Sequence, residues 1–126
     1  MLSVLLVDDE PSIRLAMGDA LAREGYDVSR ASDGVEALRL CAQRTFDLII
    51  TDMHMPGLDG IGVLRQVRAI SPKTEVLLMT VLGREDDLTA AFRLGVEDMM
   101  SKPFTADELL TRVAEIASKR RLLSEA

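Results

Sequence analysis

The chain has 126 residues, of which 48% are hydrophobic and 29% charged, and its formal net charge is −6 at pH 7. This length predicts one domain over residues 1–126 with a proper core. The acidic balance and the aromatic content of 3% argue against a nucleic-acid or anionic-membrane surface. Cys41 is the only cysteine, which excludes an internal disulfide and a thiolate metal cluster, and we expect it to fill core space. The N-terminus lacks the basic segment of a signal peptide and no apolar run reaches membrane-spanning length, so we expect a cytoplasmic protein.

Five segments have the patterns of β-strands. Unbroken apolar runs at 4–7, 48–50 and 76–79 are typical of strands buried on both faces. Residues 26–31 alternate between apolar and polar, and 98–101 are short and mixed, so we expect these two strands at the edges of a sheet.

Between the strands, apolar residues recur at helical spacing. Pro11 suits the first turn of a helix that closes at Gly25, and Asp59-Gly60 begins the third helix. Capping boxes at 33–36 and 105–108 begin the second and the last. The acidic residues 85–87 favour the start of a fourth helix, which closes at Gly95, and the basic run 119–121 is interpreted as a solvated helix end. The residues expected to face the core are Ile13, Ala16, Met17, Ala20, Ala37, Leu38, Cys41, Val63, Leu64, Val67, Ile70, Leu88, Ala91, Phe92, Leu109, Val113 and Ile116.

Strands that alternate with helices predict an α/β fold, a doubly wound, five-stranded parallel sheet of the flavodoxin-like (βα)5 type. Right-handed crossovers between neighbours give the strand order 2-1-3-4-5, with the switch point between strands one and three. Ligands bind at such a point, beyond the carboxyl ends of the strands. The residues that arrive there are Asp8, Asp9 and Asp52, with Thr80 and Lys102 beside them.

Three carboxylates in one crevice repel one another and stay ionised together only beside positive charge. A hard cation such as Mg²⁺ accepts carboxylates, keeps several waters and shares ligands with a phosphoryl group. Lys102 adds a fixed charge and Thr80 a hydroxyl donor. A carboxylate nucleophile, a divalent metal, a lysine and a hydroxyl are the parts needed to hold and transfer a phosphoryl group.

Over essentially its whole length, the chain resembles a response-regulator receiver domain of two-component signalling, with the chemotaxis-regulator-like fold. The resemblance implies that Asp52, before Met-His-Met-Pro-Gly, is the phosphoacceptor, and that Thr80 is the switch hydroxyl. It implies that Lys102 precedes a cis proline. The implied ligands of Mg²⁺, or alternatively Mn²⁺, are Asp9, Asp52 and the backbone carbonyl of His54, with Asp8 acting through water.

The implied function is a signalling module that takes a phosphoryl group from a histidine kinase or phosphotransfer protein. It is not an enzyme beyond self-catalysed phosphoryl transfer and autodephosphorylation. The implied output face is formed by helix four, strand five and helix five, where we expect phosphorylation to promote a homodimer and Met99 to act as a switch residue. Met99 replaces the family's frequent aromatic, and Val81 replaces a very small residue. Leu82 stands where many members are polar, which predicts slow phosphate loss.

Three other functions are alternatives to this one. A Mg²⁺-dependent phosphatase with an aspartyl nucleophile typically needs a second aspartate where this chain has Glu10. A flavin-binding electron carrier needs a Ser/Thr/Gly-rich phosphate loop after strand one, where this chain is acidic. A pseudo-receiver that serves only for docking would not need the acid, hydroxyl and lysine set. The cognate kinase and the output stay open, as does whether residues 1–126 stand alone or form the N-terminal part of a longer regulator.

Overall fold

The structure, a computed structural model, describes residues 1–81, 89, 91–96 and 98–125. Its strands are β1 (Ser3–Val7), β2 (Asp27–Ala31), β3 (Leu48–Asp52), β4 (Glu75–Val81) and β5 (Asp98–Lys102). Its helices are α1 (Pro11–Arg23), α2 (Gly34–Gln43), α3 (Gly60–Ile70) and a C-terminal helix (Ala106–Glu125). Residues 89 and 91–93 are also helical, in the segment predicted as the fourth helix. Its predicted start at 85–87 and Leu88 lie outside the described residues.

The five strands form one parallel sheet in the order β2-β1-β3-β4-β5, which confirms the predicted topology. All five residues of β3 are buried, as its unbroken apolar run predicts, while β2 at the edge buries only Ala31. Because the strands are parallel, the carboxyl ends of β1, β3 and β4 lie at one edge of the sheet. Lys102 at the end of β5 pairs with Val81 at the same edge.

Helices cover both faces of the sheet. On one face, α2 and α3 pack against the strands with a cluster of buried residues that includes Leu5, Ala37, Ile49, Val63, Leu64, Val67 and Leu78. On the other face, α1 and the C-terminal helix pack with a cluster that includes Val4, Leu6, Leu21, Ile50, Leu77, Leu109, Val113 and Ile116. Successive strand residues alternate between these clusters because side chains point to opposite faces of a sheet. In the described ranges, every helix is too short or too polar to cross a membrane.

Both predicted capping boxes begin with a side-chain N-cap. Asp33 Oδ1 accepts the backbone N–H of Glu36 at 2.8 Å. The Glu36 carboxylate turns to the Ser32 hydroxyl at 3.0 Å, so the reciprocal half of that capping box is missing. At the C-terminal helix the box is complete, because Thr105 Oγ1 accepts the Glu108 N–H at 3.1 Å and Glu108 accepts the Thr105 N–H at 3.3 Å.

Three helical residues expected in the core are exposed. In α1 the buried side is centred on Leu21, which leaves Ala16 exposed. Phe92 is 63% exposed because the adjacent Ala91 takes the core side, and consecutive helix residues point about 100° apart. Ile70 is 57% exposed and is the last residue of α3. The buried side of each of these helices therefore includes fewer residues than the sequence pattern predicts.

Candidate functional site

Three carboxylates meet at the carboxyl edge of the sheet. Asp8 directly follows β1, Asp9 comes next, and Asp52 ends β3. One carboxylate oxygen from each lies within 4.8 Å of the others, which confirms that the sheet brings the predicted acids together. Asp8 is fully buried and Asp52 is 5% exposed, while Asp9 is open to solvent.

Lys102 bridges the two buried carboxylates. Its Nζ lies 3.0 Å from Asp8 Oδ2 and 3.0 Å from Asp52 Oδ2, and the side chain is 14% exposed. Burial alone lowers the pKa of Lys102, but the hydrogen bonds and charges of Asp8 and Asp52 outweigh it and raise that pKa above its usual value. Lys102 therefore stays protonated and supplies the positive charge that the sequence predicts. The peptide bond between Lys102 and Pro103 is cis, as the resemblance implies.

Asp52 is held in place by the backbone that follows it. The N–H of His54 donates to Asp52 Oδ1 at 3.2 Å, and the N–H of Met53 donates to the Met79 carbonyl at 2.8 Å. Gly60 opens α3 against the same strand end, where an added Cβ would lie 2.5 Å from the Asp52 carbonyl oxygen. A glycine is therefore needed for this close approach. The His54 side chain is half-buried.

The loop between β1 and α1 contains two contacts that the sequence did not indicate. Glu10 Oε1 lies 3.9 Å from Lys102 Nζ, which makes Glu10 the third acid beside the lysine after Asp8 and Asp52. The guanidinium of Arg14 donates to the Asp8 carbonyl at 2.7 Å. A hydrogen bond from an arginine to a backbone carbonyl has no sequence motif. Only the short distance along the sequence between Arg14 and the acid pair could have indicated this contact.

Thr80 and Met99 lie on the strands beside this site. Thr80 is 5% exposed, and its hydroxyl donates to the Val81 carbonyl at 3.4 Å. Met99 is partly buried against the cluster on the α2 and α3 side, and its carbonyl accepts from Arg112 at 3.1 Å. Leu82, on which the prediction of slow phosphate loss depends, lies outside the described residues.

The donor set fits a hard divalent cation. The three clustered side chains offer only carboxylate oxygens, which are the ligands that Mg²⁺ and Mn²⁺ prefer over nitrogen or sulfur. Lys102 occupies one oxygen each of Asp8 and Asp52, and no hydrogen bond from a described residue occupies Asp9. Together with Glu10, the acids outnumber the lysine, so the site is strongly negative.

Comparison with known proteins identifies the class to which this fold and site belong. Residues 4–114 match the response regulator receiver domain. The chain belongs to this family, whose function is phosphoryl acceptance in two-component signalling. It is 34% identical over 106 residues to sporulation initiation phosphotransferase F of Bacillus subtilis, covering 84% of this chain and 86% of that protein.

Solved structures of receiver domains share the fold. A response regulator receiver domain protein from Clostridium thermocellum superimposes with a TM-score of 0.89 at 31% identity, covering 98% of this chain and 99% of the other. The chemotaxis protein CheY4 of Vibrio cholerae gives a TM-score of 0.86 at 33% identity, covering 92% and 98%.

Longer relatives match as well. The alkaline phosphatase synthesis transcriptional regulatory protein PhoP of Bacillus subtilis is 40% identical over 119 residues, covering 94% of this chain and 50% of that protein. The chain thus spans about half the length of this relative. Membership of the receiver family decides against the phosphatase and flavin alternatives, because this is a signalling domain.

Proposed function

We propose that this domain accepts a phosphoryl group on Asp52 in a reaction that depends on Mg²⁺. The observation that carries the proposal is the position of Lys102, whose Nζ lies 3.0 Å from both Asp8 and Asp52. A protonated amine at that point is placed to bind phosphoryl oxygens as soon as they arrive at Asp52.

The transfer is a displacement at phosphorus. A carboxylate oxygen of Asp52 forms a bond to phosphorus as the bond from phosphorus to the donor's leaving atom breaks, and that atom keeps the electron pair. The His54 N–H on Oδ1 orients the carboxylate, while Lys102 compensates charge on the transferring oxygens. A bound Mg²⁺, held by Asp9 and Asp52 with the His54 carbonyl and with Asp8 through water, would supply further electrostatic stabilisation. Asp52 then carries the phosphoryl group until water removes it, so transfer and dephosphorylation are catalysed by the domain itself.

The donor is proposed to be a histidine kinase or a histidine phosphotransfer protein in the cytoplasm. The family's function supports this class of partner. We also propose that residues 1–126 form a single receiver domain, which the match to the receiver family over residues 4–114 supports.

The response to phosphorylation is proposed to run through Thr80 and Met99. Among the described residues, the Thr80 hydroxyl makes one hydrogen bond, of 3.4 Å to the Val81 carbonyl, and a bond of this length costs little to exchange for one to a phosphoryl oxygen. Movement of Thr80 leaves space toward β5, and the unbranched Met99 side chain adapts to such gaps. Asp98 and Arg112 beside Met99 have opposite charges, which suits a two-fold contact between phosphorylated domains. In the isolated chain Arg112 lies 3.6 Å from Asp98, so dimerisation would exchange this pair for pairs between subunits.

Intact-protein mass spectrometry after incubation with acetyl phosphate and MgCl2 tests the assignment. We expect one added phosphoryl group on the wild type and none on Asp52→Asn, with Asp19→Asn on the exposed side of α1 behaving like the wild type. A modification that persists in Asp52→Asn places the acceptor elsewhere.

A further inference from the structure

Arg14 holds the peptide group that joins two of the clustered acids. It lies in the first turn of α1, and its Nη1 donates to the Asp8 carbonyl at 2.7 Å. Among the described residues, that carbonyl has no other hydrogen-bond partner, and Arg14 has no carboxylate within ion-pair distance. The guanidinium therefore binds the backbone between Asp8 and Asp9 and forms no ion pair with a described carboxylate.

This peptide segment is fixed on three sides. The Asp8 N–H donates to the Ala31 carbonyl at 3.2 Å, and the Asp8 carboxylate accepts the Glu10 N–H at 2.9 Å. Arg14 provides the third bond, on the carbonyl. Asp9, by contrast, is exposed and accepts no hydrogen bond from a described residue. The direction in which its carboxylate points therefore depends on the backbone that Arg14 holds.

We infer that Arg14 is a positioning residue for the cation site. Arg14 fixes the backbone so that Asp9 faces Asp8 and Asp52. The inference rests on the proposed Mg²⁺-dependent function. Two effects of Arg14 oppose each other, because its positive charge repels a divalent cation while its hydrogen bond orders a ligand. The partly buried, 2.7 Å contact favours the ordering effect, since solvent screens a charge at the rim more than it weakens a direct bond. Removal of Arg14 should therefore weaken cation binding.

Isothermal titration calorimetry with MgCl2 measures this directly. Arg14→Ala should raise the Kd for Mg²⁺ about tenfold, at the low end of the effect of outer-shell partners, because it acts on backbone rather than on a ligand atom. Arg14→Lys, which keeps a donor and the charge, should recover much of the loss. Arg23→Ala removes the same charge from the exposed last turn of α1 and should leave the Kd unchanged. An equal or tighter Kd for Arg14→Ala, or a loss shared by Arg23→Ala, overturns the inference.

Phosphorylation kinetics separate positioning from a general structural role. With acetyl phosphate, the Mg²⁺ concentration for half-maximal rate should rise in Arg14→Ala, while the rate at saturating Mg²⁺ stays within about twofold of the wild type. A lower plateau with an unchanged half-saturation point refutes the positioning role.

If Arg14→Ala fails to fold, the comparison of Arg14→Lys with Arg14→Gln carries the test, with weaker binding expected for the shorter glutamine. A wild type that binds no Mg²⁺ refutes the proposed function as well, whereas equal binding by wild type and variants refutes only the role of Arg14.

Discussion

Replacement of Lys102 by methionine should destabilise the metal-free protein by about 3 kcal/mol. The substitution keeps an unbranched side chain that is one heavy atom shorter, and it removes the charge shared by Asp8 and Asp52. Two carboxylate charges within 4.8 Å of each other repel by about 3.5 kcal/mol at an effective dielectric constant of about 20. Loss of one partner from a buried ion pair costs about 3–5 kcal/mol in other proteins. For a domain of this size, the loss corresponds to a fall in Tm of roughly 10 °C.

Urea denaturation with and without Mg²⁺ tests this expectation. Lys73→Met is the matched control, because Lys73 is exposed and contributes only its backbone carbonyl to a described contact. In EDTA, Lys102→Met should unfold at clearly lower urea than Lys73→Met. In millimolar Mg²⁺ the gap should narrow, since a cation among the acids replaces the lost positive charge. If both variants are equally stable, or the gap is the same with and without Mg²⁺, the electrostatic role of Lys102 is wrong.

Three further expectations concern the cation, the pH dependence and the output face. Millimolar Mg²⁺ should raise the Tm by mass action and Asp9→Ala should abolish the rise, whereas equal rises would place the ion elsewhere. Burial alone raises the pKa of Asp47, but hydrogen bonds from Ser3 and the charge of Arg120 outweigh it and hold that pKa below its usual value. Asp47 therefore stabilises the fold above about pH 4 and loses this effect as the pH falls further. In Asp47→Asn the free energy of unfolding, measured with urea, should fall less steeply at acidic pH, by less than about 1 kcal/mol because the Asp47 side chain is 37% exposed. An unchanged acid dependence contradicts this. Beryllofluoride should shift the Met99 methyl resonance and promote a dimer in light scattering; an unchanged resonance or a permanent monomer counts against the respective proposal.

The strand order and the convergence of the acids were predictable because they depend on strong, local patterns. Apolar runs that end in one polar residue identify both a buried strand and the residue at its carboxyl end, as in β3 with Asp52. Parallel pairing then brings these ends to one edge, whatever the details of the helices. Lys102 ends the short, mixed strand β5, and parallel pairing brings it to the same edge, between two of the predicted acids.

Contacts made by long polar side chains were not predictable in this way. The basic run 119–121 predicts a solvated helix end, yet Arg120 donates to the Lys73 carbonyl at 2.7 Å and to Asp47 at 3.2 Å. Arg14 likewise reaches a backbone carbonyl. Such bonds depend on which backbone groups tertiary packing leaves within reach, and residue spacing along a helix carries no information about that. The same limit explains α1, where packing on the sheet, not periodicity, selects the buried side.

The most direct measurement of the central claim is the chemical location of the phosphoryl group. Borohydride reduces an aspartyl phosphate to homoserine, so protein treated with acetyl phosphate and MgCl2 is reduced, digested with trypsin and sequenced by mass spectrometry. The tryptic fragment of residues 45–65 contains Asp47, Asp52 and Asp59. We predict homoserine at position 52 alone, and none when Mg²⁺ is omitted. Homoserine at Asp8, Asp9 or another aspartate, with position 52 unmodified, would contradict the account.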